Sequence, residues 1–305
     1  MSKSRQNVLF IRAKGDNEYL DLTSRGYTVF DPYYGNNGFL RILREISFRL
    51  NLPFKSIWYR KIPDMTKFKY VIVFDVLITT HYLRWLQSKT DTNTKMIFSY
   101  GNLIGHARHI KPDGIPKDYA VFTYDENDAK NYRIYLNDHV MLSPRAYHLP
   151  NVKKTIDVLF IGTEKGRGYK LKQIEKNLEE KGLKTFFYIV PNRKYPFQNL
   201  RGNKPLEYKV FLDYVSKSRS VLNYVYEGQT GISLRDVEAL SNNIKLLTNN
   251  ESIKDKFFYD PRDIFILGID KENKLKEFID EPFTELTSEF YTYYSFESWI
   301  STFVD

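Results

Sequence analysis

Residues 222–250 read LNYVYEGQTGISLRDVEALSNNIKLLTNN. An apolar run is followed by a polar loop with Gly228 and Gly231, a segment of helical spacing that begins near Ser233, and a second apolar run at 245–248. Short apolar runs that alternate with helical segments are typical of parallel strands covered by helices on both faces. This stretch therefore predicts one strand–helix–strand unit of a doubly wound sheet.

The same alternation extends upstream through the second half of the chain. The apolar run DVLFI at 157–161 predicts the opening strand of this half. The other elements that we predict here are a loop at 162–168, helices over 169–181, 207–218 and 233–240, and strands over 185–190 and 220–225. These elements predict a complete α/β domain.

The first half opens with NVLFI at 7–11, nearly a copy of DVLFI, which predicts a strand. The elements predicted after it are helices over 39–50 and 83–89 and strands over 69–74, 95–99 and 120–123. Segment 144–154 (PRAYHLPNVKK) contains prolines and no periodicity, so we expect a linker there. The expected fold class is α/β, with two doubly wound (Rossmann-like) parallel-sheet domains.

The composition excludes several classes of protein. The 305 residues are 42% hydrophobic, which supplies enough apolar surface for two cores and argues against disorder. Cysteine is absent, so disulfides, thiolate metal sites and a cysteine nucleophile are excluded. Neither a membrane-spanning apolar run nor a leader-like start is present, and we therefore expect a cytoplasmic protein.

The positive charge lies in the first half. Residues 1–150 hold 22 Lys and Arg against 14 Asp and Glu, whereas residues 151–305 hold 24 against 23. Anionic partners are therefore expected to meet the first half.

Two loops in the second half have the residue types that bind phosphates at the carboxyl ends of parallel strands. In the first loop, Gly162 and Gly166 permit close backbone approach, and Lys165 and Arg167 supply cations. The alternative is a tight turn without a ligand, because the dinucleotide fingerprint G-x-G-x-x-G is not matched.

The second loop precedes the predicted helix over 233–240. Gln229, Thr230 and the Gly231 amide can point at phosphate oxygens, Arg235 can neutralise them, and Glu238 can accept hydrogen bonds from ribose hydroxyls. Arg235 and Glu238 are three residues apart and share a helix face. The alternative is an ion pair on a solvated helix face, without functional meaning.

Four segments carry a resemblance to a known family. QTGISLR at 229–235 with EAL at 238–240 and KLLTNN at 245–250 resembles the donor-binding segment of bacterial GT-B fold glycosyltransferases of the capsule, exopolysaccharide and lipopolysaccharide type. DVLFIGTEKGRGYKL at 157–171 is similar to the start of their C-terminal domain, and VFTYDENDAKNY at 121–132 to a late part of their N-terminal domain. YTYYSFESWISTF at 291–303 is similar to their terminal helix.

The resemblance implies two domains that face each other across a cleft. It implies an acceptor-binding domain at 1–148, a nucleotide-sugar-binding domain at 149–290, and a C-terminal helix at 291–305 that packs back on the first domain. The implied activity is transfer of a sugar from a nucleotide-diphosphate donor to a saccharide or polyprenyl-diphosphate-linked acceptor.

The resemblance also implies roles for single residues. Glu238 would hold the ribose, and Arg235 would face the diphosphate. The residues implied to complete the donor site are Gly162, Thr163, Lys165, Arg167, Gln229, Thr230, Gly231 and Ser233. One departure matters, because many GT-B enzymes have a second Glu where this chain has Thr230. The common retaining mechanism is therefore in doubt, and Glu227 substitutes only if the loop rearranges.

An inverting transfer needs a base that takes the proton of the acceptor hydroxyl. Asp75, which follows the predicted strand over 69–74, and the titratable His81 are the candidates. Alternatively, Asp75 caps the next helix and His81 is a partly buried histidine. Asn102, His106 and His109 are weaker candidates.

No Asp-x-Asp pair follows a strand, and no histidine pair has metal-ligand spacing. We therefore expect a metal-free reaction and no cofactor besides the nucleotide-sugar co-substrate.

Basic and aromatic residues interleave at 39–69, where eight Lys and Arg accompany Glu45 and Asp64. The segment predicts peripheral binding to an anionic membrane surface, at the inner face of the plasma membrane, and its alternative is a solvated helix flank. Two other functions stay open. One is a basic nucleic-acid-binding α/β protein, which the neutral second half disfavours, so we expect no nucleic acid partner. The other is a catalytically inactive glycosyltransferase-like partner subunit.

Overall fold

The computed structural model describes residues 5–12, 21–35, 38–105, 110–140, 149–192 and 202–304. They form two compact units. The first takes the described residues up to His139 together with those from Trp299 onward, and the second is Val140–Ser298. Each unit contains one parallel sheet, so the predicted pair of α/β sheets is confirmed.

The first sheet has the strand order β2-β1-β3-β4-β5-β6, with every neighbouring pair parallel. Its strands are β1 (Val8–Ile11), β2 (Thr28–Phe30), β3 (Tyr70–Phe74), β4 (Lys95–Tyr100), β5 (Tyr119–Thr123) and β6 (Tyr135–Leu136). All four residues of β1 are buried, because helices and loops cover both faces of a parallel sheet.

Three helices belong to this unit: α1 (Gly38–Arg49), α2 (Thr80–Gln87) and α3 (Glu126–Tyr132). Short 3₁₀ helices lie at Lys55–Trp58, Met65–Lys67 and Pro112–Gly114. Helix α2 begins three residues before the predicted start, because Oγ1 of Thr79 accepts a 3.1 Å hydrogen bond from the Tyr82 amide and caps the helix.

The second sheet has the strand order β11-β10-β9-β7-β8, again all parallel. Its strands are β7 (Ile156–Thr163), β8 (Thr185–Val190), β9 (Ser218–Asn223), β10 (Lys245–Thr248) and β11 (Ile264–Ile266). Strand β9 begins and ends two residues before the predicted strand. Ser218 and Ser220 are polar but fully buried, and their hydroxyls donate hydrogen bonds to the carbonyls of Tyr214 and Asp157.

The helices of the second unit are α4 (Gly168–Glu180), α5 (Tyr208–Ser216), α6 (Leu234–Ser241), α7 (Leu275–Asp280) and α8 (Ser288–Tyr293), and α9 (Phe296–Ser301) follows. Two 3₁₀ helices lie at Glu251–Asp255 and Glu272–Lys274. The resemblance implied one helix at 291–305, but α8 ends at Tyr293 and α9 begins at Phe296. Oγ of Ser295 accepts a hydrogen bond from the Ser298 amide, which starts the new helix.

Trp299 packs against the first sheet. Its ring stacks on Phe10 of β1 and on Phe74 of β3, with centroids 6.1 and 6.3 Å away, and its carbonyl accepts a hydrogen bond from the Asn137 side chain. Of the predicted linker, residues 144–148 lie outside the described residues. Leu149 donates its amide to Oδ1 of Asn242, at 2.9 Å. In the described ranges, no helix has the length and apolar character that crossing a bilayer requires.

Both sheets reverse their winding direction at the first strand of the unit. Strand β7 lies between β8 and β9, and β1 lies between β2 and β3. Such a switch point opens a crevice at the carboxyl ends of the strands, where ligands of doubly wound sheets bind.

Candidate functional site

The two predicted donor loops follow β7 and β9, which are the strands on either side of the switch point in the second sheet. The first leads from β7 into α4, and the second leads from β9 into α6. Arg235 and Ile161, which are 74 positions apart in sequence, thereby come to the same sheet edge.

Gly162 and Thr163 are the last residues of β7 and not part of the loop. A Cβ atom at Gly162 would lie 3.0 Å from Nη2 of Arg235. The guanidinium of Arg235 therefore occupies the space that a side chain at position 162 would need. This contact joins the two predicted loops.

Lys165 and Arg167 lie beside the ring of Tyr226, which sequence reasoning did not single out. Nζ of Lys165 is 5.8 Å and Cζ of Arg167 is 4.7 Å from the ring centroid. Nη1 of Arg167 also donates a hydrogen bond to the Tyr224 carbonyl. The aromatic ring therefore holds two cations at the edge of the sheet.

Arg235 is half-buried and turned toward the strands. Its Nη2 donates a 2.6 Å hydrogen bond to the carbonyl of Ile161, its Nη1 is 3.4 Å from Oδ1 of Asn223, and its Cζ lies 5.5 Å from the Phe160 ring centroid. Nε is buried and has no hydrogen-bond partner among the described residues. Burial lowers the pKa of Arg235, and the nearby carboxylates of Glu238 and Asp236 raise it.

These three cations repel one another. Lys165 keeps exposed surface, yet desolvation by its surroundings lowers its pKa, and the charges of Arg167 and Arg235 lower it further. Burial likewise lowers the pKa of Arg167. A dianionic ligand would relieve this repulsion and restore the lost solvation, so the edge is electrostatically suited to a diphosphate.

Glu238 is 3% exposed, so the arrangement is not an ion pair on a solvated helix face. Its Oε1 accepts a hydrogen bond from the hydroxyl of Tyr208 on α5. Burial raises the pKa of Glu238 to about 7, while the Tyr208 hydrogen bond and the charge of Arg235 lower it. The carboxyl group can therefore accept or donate hydrogen bonds near neutral pH.

Helix α6 starts where the sequence predicts, at the N-cap Ser233. The hydroxyl of Ser233 accepts the Asp236 amide, and Oδ2 of Asp236 accepts the Ser233 amide at 2.8 Å, which is a capping box. Asn223, the last residue of β9, donates to Oγ of Ser233 and to Oδ1 of Asp236. The network fixes the helix start at the end of β9, and its first-turn N–H groups add partial positive charge there.

Hydrogen bonds hold the loop before α6 at the edge of the sheet. Nε2 of Gln229 donates to the Gly231 carbonyl at 3.4 Å, and the Thr230 carbonyl accepts a 3.2 Å hydrogen bond from Asn250. Gly231 is buried, whereas Gln229 and Thr230 are half-buried. Both side chains keep surface that a ligand can contact.

Asp75 directly follows β3 in the first unit and is 2% exposed. Nδ2 of Asn102 lies 3.4 Å from Oδ2 of Asp75, so one of the weaker candidates is a neighbour of a stronger one. The cap of α2 is Thr79. Asp75 therefore does not cap that helix, and this alternative is wrong.

His81 is exposed, not partly buried as the alternative interpretation had it, and lies in the first turn of α2. A 2.8 Å hydrogen bond joins its Nδ1 to the hydroxyl of Tyr59, whose pKa burial raises to about 12. In the described part of the chain, Nε2 of His81 has no hydrogen-bond partner. His106 and His109 lie outside the described residues.

Among the residues that the structure describes, no group of three or more His, Asp or Glu side chains could hold a metal ion. A cavity of about 1070 Å³ lies in the first unit and is lined by Thr94, Lys95 and Thr302 among others. It adjoins the amino end of β4, the edge of the sheet opposite to Asp75. We therefore do not assign the cavity to the candidate site.

Sequence reasoning missed Tyr208, Asn223 and Tyr226. It also missed Asp236, which had a readable signal, since S-x-x-D at 233–236 is a capping box at a predicted helix start. Asn223 had no such signal. Tyr208 and Tyr226 had none, because 24 tyrosines are present and only the tertiary structure selects these two.

Two all-parallel α/β units, one of them with a cationic strand edge at its switch point, fit the fold class that the sequence predicts. The two parallel-sheet domains are confirmed, and the cleft between them stays a prediction. No protein-family model matches the chain, and no curated protein matches it in sequence.

Two solved structures are similar to this chain. The DNA-modifying enzyme β-glucosyltransferase, studied with and without its substrate uridine diphosphoglucose, has a TM-score of 0.51 at 14% sequence identity, over 90% of this chain and 89% of that one. AviGT4, a glycosyltransferase of avilamycin A biosynthesis, has a TM-score of 0.46 at 10% identity, over 97% and 95% of the two chains. At 14% identity, the likeness to the β-glucosyltransferase shows the fold alone.

Proposed function

We propose that the protein is a glycosyltransferase that moves a sugar from a nucleoside-diphosphate donor to a saccharide or lipid-linked saccharide acceptor, in the synthesis of a bacterial surface polysaccharide. The observation that carries this proposal is the group of three mutually repelling cations, Lys165, Arg167 and Arg235, at the switch point of the second sheet. The diphosphate of a nucleotide-sugar supplies the negative charge that would neutralise these three cations.

The donor contacts follow from this geometry. Lys165 and Arg167 meet the diphosphate from the loop after β7, and Arg235 meets it from α6. Gly162 makes room for the guanidinium of Arg235 at the end of β7, and Thr163 follows it on the side of the diphosphate. Gln229, Thr230, Gly231 and the helix start at Ser233 line the opposite side.

Glu238 is the proposed ribose ligand. Its carboxyl group is already held by Tyr208, so it is oriented before the donor arrives. Ribose hydroxyls can then donate to the oxygen atoms that Tyr208 leaves available. Preorganisation of this kind reduces the entropy lost on binding.

In the reaction, the acceptor hydroxyl oxygen forms a bond to the anomeric carbon of the sugar. The bond between that carbon and the diphosphate oxygen breaks, and the nucleoside diphosphate leaves with the electron pair. A base in the first unit takes the hydroxyl proton, and Asp75 and His81 are the two proposed candidates. The cations of the strand edge stabilise the charge that develops on the leaving group.

The test is product formation from a panel of UDP-, GDP- and dTDP-sugars, incubated with the full chain with and without saccharide acceptors. Without acceptor, we expect release of nucleoside diphosphate and free sugar from at least one donor. With a suitable saccharide, we expect nucleoside diphosphate together with the glycosylated acceptor, and less of these products from Arg167→Ala. An inactive partner subunit, the remaining alternative, releases nothing from any donor. Transfer to a saccharide that is absent from surface polysaccharides would overturn the proposed pathway but not the activity.

A further inference from the structure

Helix α1 exposes its apolar side. Among the large apolar side chains that the structure shows exposed, nine of nineteen fall within residues 39–57. We use the name α1 surface for these nine: Phe39, Leu40, Ile42, Leu43, Ile46, Leu50, Leu52, Phe54 and Ile57. Their exposed fractions run from 37% for Leu43 to 78% for Phe54. Concentration of this kind is unusual for a surface without a partner.

The inner side of the helix explains this orientation. Arg44 is only 2% exposed, its Cζ lies 5.0 Å from the centroid of the Tyr33 ring, and its Nη1 donates a 3.1 Å hydrogen bond to the Tyr34 carbonyl. Ser47 is also buried, and Phe48 packs on Tyr33 with ring centroids 5.2 Å apart. Turning the apolar side inward would break these contacts, so the structure holds it outward.

The loop after the helix adds a second, independent observation. Asn51 and Phe54 both have left-handed backbone conformations, with φ of 51° and 61°. An aromatic residue rarely adopts this conformation, and strain of this kind is kept where a function requires it. The side chain of Phe54 in this loop is 78% exposed.

Basic side chains interleave with the apolar ones along the sequence. Arg41 and Arg49 are exposed on α1, and exposed Lys61, Lys67 and Lys69 follow in the next segment. Glu45 pairs with Arg41 and Arg49, but these pairs are exposed and therefore weak. The segment 39–69, which carries the α1 surface, holds eight Lys and Arg against Glu45 and Asp64 and is thus net positive.

We infer that the α1 surface docks the protein on a membrane that contains anionic phospholipids. A helix of this length covers about 18 Å, too short to span a bilayer core of about 30 Å but suited to lie in its interface. The apolar stripe enters the acyl boundary while the arginines and lysines meet the lipid phosphates.

Charge and chemistry favour this occupant over two others. A second copy of the chain would bring two positively charged segments together, and the repulsion between them opposes a dimer. Nucleic acid would match the positive charge but not the apolar stripe, because protein contacts to a phosphate backbone are polar. The inference does not depend on sugar transfer.

The test is flotation of the full chain with vesicles of phosphatidylcholine alone and of phosphatidylcholine mixed with phosphatidylglycerol. We expect binding to the mixed vesicles at low salt and weak binding to the neutral ones. Burying one large apolar side chain in the membrane strengthens binding about tenfold or more. Ile46→Ser and Phe54→Ser should therefore each weaken the binding to vesicles by about that factor. Arg49→Glu should weaken binding to the mixed vesicles alone.

Matched controls are Phe257→Ser, an exposed aromatic residue of the second unit, and Lys176→Glu, an exposed lysine of α4; neither should change binding. Thermal melting confirms that each variant is folded. Three outcomes would overturn the inference. They are no binding at low salt, binding that Ile46→Ser and Phe54→Ser leave unchanged, and a dimer or a duplex DNA complex that the same two substitutions abolish.

Discussion

The hydroxyl of Tyr208 donates a hydrogen bond to Oε1 of Glu238, and this carboxyl group is only 3% exposed. The two residues lie on neighbouring helices, α5 and α6, and are 30 positions apart. A buried carboxyl group held by a single phenol is a titrating element within the candidate donor site.

Glu238 should make the stability of the protein depend on pH. Its pKa is about 7 in the folded state, against 4.5 ordinarily, so the folded protein binds more protons between these values. The stability that protonated Glu238 contributes is therefore complete below about pH 4.5 and is lost as the pH rises through about 7. Relative to Glu238→Gln, wild type should lose about 3 kcal/mol across this window.

Chemical denaturation at intervals across this pH range measures the difference. Glu289→Gln, which changes an exposed carboxylate of α8, is the control and should give a curve parallel to that of wild type. Parallel curves for Glu238→Gln and wild type would contradict the assigned pKa.

Tyr208→Phe should move this titration to higher pH. The Tyr208 hydrogen bond lowers the pKa of Glu238, so its loss raises the pKa further. The midpoint of the pH-dependent loss of stability should therefore shift upward, and the nucleotide affinity should fall because Glu238 is no longer oriented. An unchanged midpoint would mean that the hydrogen bond does not form in solution.

Gly162→Ala should displace Arg235. The new methyl group would lie 3.0 Å from Nη2 of Arg235, so the guanidinium must shift by a few tenths of an ångström, which strains its hydrogen bond to the Ile161 carbonyl. We expect a loss of about 1–3 kcal/mol in unfolding free energy together with weaker nucleotide binding. Gly182→Ala is the control, because Gly182 has φ of 76° and nothing within 4 Å of its added Cβ. That substitution costs stability through backbone strain and should leave nucleotide binding unchanged.

Ser233→Ala should remove half of the capping box at α6. The expected cost in unfolding free energy is about 1 kcal/mol, measured by urea denaturation. Thr287, the N-cap of α8, makes no side-chain capping hydrogen bond, so Thr287→Ala should cost much less. Equal costs for the two substitutions would contradict the capping role of Ser233.

Asp75→Asn and His81→Gln should identify the base. The variant that removes the base should reduce turnover by about 100- to 10,000-fold and leave nucleotide affinity unchanged. Asp64→Asn, at an exposed 3₁₀ helix cap, is the control. If neither Asp75→Asn nor His81→Gln affects turnover, the base lies elsewhere, and both assignments fail.

The sequence was sufficient for the central strands and, to within one residue, for the starts of α1, α4, α5 and α6. Runs such as DVLFI at 157–161 are apolar because both of their faces are buried, and a cap such as Ser233 lies next to the helix it starts. Edge strands β2, β6 and β11 were not predicted. They are two or three residues long and carry too little pattern.

The site was predictable in its residue types but not in its contacts. Lys165, Arg167, Arg235 and Glu238 are polar residues beside predicted strand ends, which local pattern can show. Glu238 is buried against Tyr208 because α5 packs on α6. No local pattern in a single sequence shows this packing. The outward turn of α1 was equally hidden, because helical spacing alone does not tell which side faces the core.

The proposed function requires that a nucleoside diphosphate binds at the carboxyl edge of β7 and β9. Calorimetric titration with UDP, GDP and dTDP tests this binding most directly. We predict that at least one of the three nucleotides binds the wild-type protein. Arg167→Ala should weaken this binding at least about tenfold, because the lost charged hydrogen bonds contribute about 1.5–3 kcal/mol. Arg219→Ala should leave the binding unchanged. Arg219 is the matched control because it lies at the amino end of β9, away from the candidate site, and pairs with Asp157 and Asp280. Absence of binding by all three nucleotides, or equal binding by wild type and Arg167→Ala, would contradict the account.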